Sequence, residues 1–263
     1  MTKNYGLITG AAGLLGFEHA IALLEMGINP ILTDINLKKL KKQSSLLSKT
    51  YPKNNILCFK MDVSKENSVE NVKKKILNAK ILIKILINNA AIDSKVNKNK
   101  KSLQKNSLEK IKIAEIKKEI DVGLIGAIIC SKYFGPLLAR RTKGGVIINI
   151  ASDLSVISPK QSLYGKIGIK PVTYSVIKHG IVGLTKYIST YWAKKNVRCN
   201  ALSPGPILQK QPALFLNKLK KEIPLNRLAK KKEYRSAIQF MCSDESNYLN
   251  GHNLIIDGGR SVW

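Results

Sequence analysis

Short, continuously apolar runs alternate along this chain with longer stretches in which apolar residues recur every three or four positions. The segment YGLITG reads as a first strand, and a helix from about Leu14 to Met26 follows it. NPILTD is a second strand, succeeded by a basic helix near Leu37 to Leu47. NILCFKMD leads into a helix from about Lys65 to Asn78, and IKILINNAA is a fourth strand. A long helix ending near Ala139 precedes GGVIINIAS. A helix containing Tyr174 precedes VRCNALSPG, and HNLIIDGG is the last strand. Strands that are apolar throughout, rather than alternating, are buried on both faces, which predicts a parallel sheet between two layers of helices. The βα alternation predicts an α/β, doubly wound, Rossmann-type fold of about seven strands with right-handed crossovers. One domain over residues 1–263 is expected, with 1–92 as the dinucleotide-binding half and 111–263 as the catalytic and substrate half.

Two stretches break the rhythm. Residues 93–110 are rich in lysine and asparagine and read as an exposed, flexible connection. Residues 153–172, DLSVISPKQSLYGKIGIKPV, form a long irregular segment, and a connection of that length inside a compact domain points to function. It reads as a substrate-side insertion. The apolar run from Val122 to Ala139 contains Lys132 and Pro136, which favours a buried helix over a membrane span.

Charge is the unusual feature of the composition. Lys and Arg total 45 against 17 Asp and Glu, a formal net charge of +28. Such a field draws polyanions. No nucleic-acid-reading motif and no aromatic-studded basic stripe accompany it, so a solvated lysine surface is expected, without nucleic-acid or membrane partners. Cys58, Cys130, Cys199 and Cys242 lack metal-site spacing and suit a reducing cytoplasm, and no metal site is expected. The N-terminus runs directly into a strand pattern, which predicts no signal peptide and a cytoplasmic protein. His19, His179 and His252 read as structural or solvent-facing.

Candidate chemistry lies at the strand ends. Gly10, Gly13 and Gly16 join the first strand to the first helix as G-x-x-G-x-x-G. Glycines there permit a tight turn and close approach of a pyrophosphate to the helix N-terminus. Asp34 ends the second strand, 24 residues after Gly10. Its carboxylate suits adenosine ribose hydroxyls and opposes a 2′-phosphate, which favours NAD over NADP. Lys38 and Lys39 soften that preference, and capping of the next helix is the alternative role for Asp34. Tyr174 and Lys178 are four residues apart and share a helical face. A phenol, with a pKa of about 10, is a poor base near neutrality until a neighbouring cation favours its anion.

With these pieces in order, and with Asp62-Val63, NNAA at Asn88 to Ala91, Ser152 closing INIAS, SPGP at Ser203 to Pro206 and IDGG, the whole chain resembles the short-chain dehydrogenase/reductase family. The resemblance implies Ser152, Tyr174 and Lys178 as catalytic residues. It implies Gly10, Gly13, Leu15, Gly16, Asp34, Asp62, Val63, Asn89, Ala90, Pro204 and Gly205, together with Tyr174 and Lys178, as the cofactor-binding set. It also implies a homodimer or homotetramer pairing the long central helix and the Tyr174 helix.

Three departures stand out. Gly123 occupies the place where many members carry a water-holding asparagine. Gln209 or a neighbour replaces the threonine that often follows PG. Ser152 and Tyr174 lie 22 residues apart, beyond the usual interval, so the extra residues are expected to bulge beside the site. The insertion and the C-terminal IDGGRSVW resemble the flagellin-modification branch, which serves nonulosonate (legionaminic-type) sugar pathways. That implies a sugar or sugar phosphate, with Lys160, Lys166 and Lys170 as candidate phosphate contacts. The other readings are a 3-oxoacyl-carrier-protein reductase and, from a different class, an inactive NAD-binding or polyanion-binding protein.

Overall fold

The computed structural model describes residues 4–92, 106–165 and 168–263. Seven strands form one sheet: β1 (Asn4–Thr9), β2 (Asn29–Asp34), β3 (Leu57–Lys60), β4 (Leu82–Asn88), β5 (Gly145–Ile150), β6 (Val197–Pro204) and β7 (Asn253–Ile256). Their order across the sheet is β3-β2-β1-β4-β5-β6-β7, and every neighbouring pair is parallel. The expected doubly wound α/β sheet is therefore present.

Strand periodicity divides the core into two layers. Ile8, Leu32, Ile85, Ile87 and Ile148 face one side, where α1 (Leu14–Glu25), α2 (Leu37–Thr50) and α8 (Arg235–Cys242) cover them. Leu7, Ile31, Leu86, Ile147 and Cys199 face the other, under α3 (Glu66–Asn78), α5 (Gly126–Ala139) and α6 (Val172–Tyr191). Each fully buried aliphatic side chain contributes about 1.5–3 kcal/mol. Successive residues on opposite faces explain why the strands are apolar at every position.

The long central helix is not regular throughout. α4 (Ile113–Ile120) passes through a π-helical turn at Asp121–Ile125 into α5. Ile113–Ala139 is long and apolar enough to cross a membrane by length and composition, but α5 packs on β4 and β5 as a core helix. Two helices were not anticipated: α7 (Ala213–Lys220) and α8. The residues of the lysine-rich connection at 93–105 lie outside the described residues, as does Lys166.

Candidate active site

The chain order reverses between β1 and β4, and the crevice outside their carboxyl ends is where this fold places ligands. Gly10 follows β1 with φ +61°, a left-handed conformation that favours glycine. The N–H of Gly13 donates to the Gly10 carbonyl at 2.9 Å, which closes the turn. Gly13 then begins α1 with no side chain capping the first turn. A Cβ at Gly16 would stand 2.6 Å from the Gly10 carbonyl oxygen and 2.7 Å from Ala11 Cα, so only glycine allows this contact. An uncapped helix start beside a loop with glycine at positions 10, 13 and 16 suits a pyrophosphate.

The residues around the loop brace it. Asn89 Nδ2 donates to the carbonyls of Thr9 (2.9 Å) and Gly10 (3.1 Å), while the Asn89 and Ala90 N–H groups donate to Thr9 Oγ1. Asn89, placed by sequence on the cofactor cleft, thus has its amide tied to the loop. Asp34 Oδ2 accepts from the Ala12 N–H at 3.1 Å and Oδ1 from the Asn36 N–H at 2.9 Å. The cap of α2 is Asn36, which accepts from the Lys39 N–H, so Asp34 does not serve as that cap. Asp62 Oδ1 accepts from the Ser64 N–H and hydroxyl, and Val63 is buried against Gly126. Leu15 is partly buried, packed against the core. Pro204 ends β6, and the Gly205 N–H donates to Ile256 O at 2.8 Å.

Ser152 follows β5 and caps a short 3-10 turn, Asp153–Ser155. It is buried, its hydroxyl donates to Asp153 Oδ1 at 2.8 Å, and it accepts from the Leu154 N–H at 3.2 Å. Tyr174 and Lys178 lie on successive turns of α6. Lys178 is buried, its ammonium donates to Ile150 O at 2.8 Å, and its Nζ lies 5.8 Å from the Tyr174 ring centroid. Tethering the ammonium to the end of β5 fixes it beneath the phenol. A polar ladder supports this end of the sheet: Asn88 donates to Asn149 (2.8 Å), and Asn149 donates to Thr185 (2.9 Å).

Sequence reading missed one contact here. Arg260, from the last strand's exit, forms a buried ion pair with Asp153, and neither side chain reaches solvent appreciably. The carboxylate holding the Ser152 hydroxyl is thus itself held from the far end of the chain. Carboxylates are rarely buried unless paired, so an Asp directly after the apolar INIAS was the available signal. The 153–172 segment has packing partners that the sequence did not suggest. Leu163 of the 153–172 segment packs with Phe215, Leu219, Ile223 and Leu228 around α7, and the Tyr164 and Phe215 ring centroids are 5.3 Å apart. Burying those apolar side chains gives the segment a small core of its own.

Gly123 is buried in the π-helical turn, and a Cβ there would meet Ile177 Cγ2 at 2.8 Å. Gln209 is exposed, its N–H donating to the side chain of Gln211. His19 is fully buried and its pKa is lowered to about 3 by burial, while His179 and His252 are exposed. All four cysteines are free, and burial pushes the Cys242 thiol up to about 12.

Comparison with known proteins agrees with this geometry. A family model described as enoyl-(acyl carrier protein) reductase, of the short-chain dehydrogenase group, matches residues 10–261. The chain belongs to the short-chain dehydrogenase/reductase family. It is accordingly an NAD(P)-dependent oxidoreductase acting on CH–OH groups of a small-molecule substrate. It is 28% identical to a 3-oxoacyl-[acyl-carrier-protein] reductase, FabG, of Thermotoga maritima, over 97% of each chain. It is also 28% identical to an NAD-dependent glycerol dehydrogenase of Listeria innocua, over 100% of this chain and 95% of that one. A solved gluconate 5-dehydrogenase of Burkholderia cenocepacia, in complex with NADP and tartrate, has the same fold. Its TM-score is 0.84 at 23% identity, covering 100% of this chain and 97% of that one.

Proposed function

We propose that this chain uses NAD to interconvert a hydroxyl and a carbonyl on a sugar or sugar phosphate, in the cytoplasm, as a homodimer or homotetramer. The supporting observation is the buried Lys178 ammonium, fixed by Ile150 O beside the Tyr174 ring at the carboxyl end of the sheet. In the oxidising direction Tyr174, as phenolate, takes the hydroxyl proton, and in reduction the phenol returns it to the oxygen. Lys178 remains an ammonium throughout, lowers the cost of the phenolate, and reaches the nicotinamide ribose. Ser152 positions the substrate oxygen where charge changes. Bound nicotinamide supplies the hydride acceptor or donor.

Gly10, Gly13, Leu15 and Gly16 receive the pyrophosphate at the start of α1. Asp34 takes the adenosine ribose, because a carboxylate retains lone pairs beyond those used by Ala12 and Asn36. Those same oxygens repel a 2′-phosphate, which supports NAD. Asp62 and Val63 flank the adenine, Asn89 and Ala90 border the cleft through the loop they brace, and Pro204 and Gly205 close over the nicotinamide. A polyhydroxylated substrate is supported by the glycerol and gluconate dehydrogenases to which the chain is similar. The flagellin-glycan assignment rests on the resemblance of the 153–172 segment and the C-terminus alone. Exposed Ile128, Tyr187 and Tyr191 on α5 and α6 support the paired-helix oligomer.

A 3-oxoacyl-carrier-protein reductase is the second reading, favoured by the Thermotoga maritima relative and by a basic surface suited to an acidic carrier. The deciding experiment screens sugars, sugar phosphates and nucleotide sugars with NAD and NADP, following reduced-nicotinamide absorbance. Activity only with NADPH and acyl-carrier substrates selects the second reading. Binding of NAD with no turnover of any of these substrates selects the inactive NAD-binding or polyanion-binding alternative, whereas turnover unchanged in Tyr174→Phe removes Tyr174 from the acid/base role.

A further inference from the structure

Tyr174 has a second lysine on it. Lys170 Nζ lies 3.5 Å from the Tyr174 ring centroid, over the face of the ring and closer than Lys178 at 5.8 Å. Its backbone is set by the insertion. Gln161 accepts from the Lys170 N–H through Oε1 (3.1 Å) and donates through Nε2 to the Lys170 carbonyl (2.9 Å). Pro171 follows as the N-cap of α6 with φ −66°, so the chain enters the helix in one fixed direction. Lys170 and Lys178 thus flank the phenol at four residues before and four after.

We propose that Lys170 is a positioning residue for the acid/base chemistry, a second ammonium that favours the Tyr174 phenolate, and that Gln161 holds it in place. The inference rests on the reading of Tyr174 as acid/base. A cation over a neutral aromatic face is attracted by the ring's quadrupole. On ionisation the negative charge spreads into the ring, and the same ammonium then faces a full charge. The anion gains more than the phenol, so the phenol becomes more acidic. The acidic groups nearest Tyr174 on the elements packed against α6 are Glu119 of α4, bonded by Thr173, Asp121 of the π-helical turn, and Asp153, which Arg260 neutralises. Glu115, Lys117 and Lys118 of α4 and Lys186, three turns along α6, are the further charged groups on these elements. His179 lies on α6 itself, exposed, with Nδ1 on Ser175 O. The acidic groups oppose ionisation of the phenol, which makes a second cation consequential.

The test needs no substrate. Tyrosinate absorbance is titrated in the intact protein, and subtraction of the Tyr174→Phe titration isolates residue 174. Lys170→Met should raise the midpoint by about one pH unit, the low end for loss of one close charge. Lys170→Arg should restore most of it, and Gln161→Ala should give a partial rise. Lys194→Met, an exposed lysine beyond the far end of α6, should leave the midpoint unchanged. A folded Lys170→Met protein that titrates like its parent overturns the proposal, as does an equal shift in Lys194→Met. Once a substrate is known, the acidic limb of kcat/KM for oxidation should move up by the same interval. A titration shift without activity would count against the proposed substrate class and leave the electrostatic assignment supported.

Discussion

The glycine loop and the 153–172 segment flank one crevice, yet they are built on different principles. The loop is closed by its own backbone, Gly13 to Gly10, and braced from the ends of adjacent strands by the Asn89 amide on Thr9 and Gly10 and by the Asp34 carboxylate on Ala12. The segment is held by side chains remote in sequence: Arg260 on Asp153, Glu222 on Lys160, and Phe215 on Tyr164. On the proposed reading the first region receives the cofactor and is fixed from the neighbouring strand ends, while the second receives the substrate and is fixed from distant helices and the C-terminus.

The largest expected effect breaks the second region at its buried pair. Arg260→Met leaves the Asp153 carboxylate buried without its partner, a change that costs about 3–5 kcal/mol. Equilibrium urea unfolding measures it. Adding Asp153→Asn should recover part of the loss, because the uncompensated charge is then gone. A loss in Arg260→Met below about 1 kcal/mol would show that water or another cation reaches Asp153.

A titration distinguishes the first region. His19, under the glycine loop in α1, has its pKa depressed to about 3 by burial. The unfolded chain takes up a proton below about 6.5 that the folded chain refuses. Its contribution is therefore fully present above about 6.5 and declines as pH falls toward 3. At pH 5 the loss through this group is about 2 kcal/mol. His19→Leu, similar in size, should flatten the stability curve between pH 6.5 and 5. A slope identical to the parent's would mean that the ring is hydrated or protonated in place.

The contrast between the regions also decides what the sequence revealed. β2 was readable to the residue because NPILTD is apolar, short and bounded by Gly27 and Asp34. The glycine spacing was readable because the loop's demands are local. α7 and α8 were missed because each is eight residues long, and the lysines around α7 obscure its period. The π-helical turn was hidden in a run that reads as uninterrupted helix, although Gly123 and Gly126 mark where Ile177 and Val63 approach too closely for a side chain. Arg260 and Asp153 are 107 residues apart, and no local pattern joins them. Lys170 was noticed as a charge that could meet a phosphate, but only the fold lays it over Tyr174.

Gly16→Ala tests the loop directly. Its new Cβ would stand 2.6 Å from Gly10 O and 3.0 Å from Asn89 Nδ2, so the brace and the turn cannot both persist. NAD binding, followed by fluorescence or calorimetry, should weaken about tenfold, about 1.4 kcal/mol. The packing around Phe215 and Leu163 should be unaffected, because none of those residues touches the loop. Unchanged NAD affinity would remove the cradle from the account.

The smallest effect belongs to Glu222→Gln. Its carboxylate receives Lys160 Nζ at 2.8 and 3.0 Å, while its backbone carbonyl accepts from the Trp263 indole at 3.1 Å. The substitution removes the charge from the first contact, leaving at most a neutral hydrogen bond, and spares the second. Lys160 is more than half exposed, so stability should fall by about 0–1 kcal/mol. The pair joins the insertion to the end of α7, where it supplements the apolar cluster. Substrate KM should therefore rise about two- to threefold, less at high salt, where the parent pair is already screened. NAD affinity should not move. A shift in NAD affinity as large as the shift in KM would mean that the two sides of the crevice are mechanically joined, and their separation would fail.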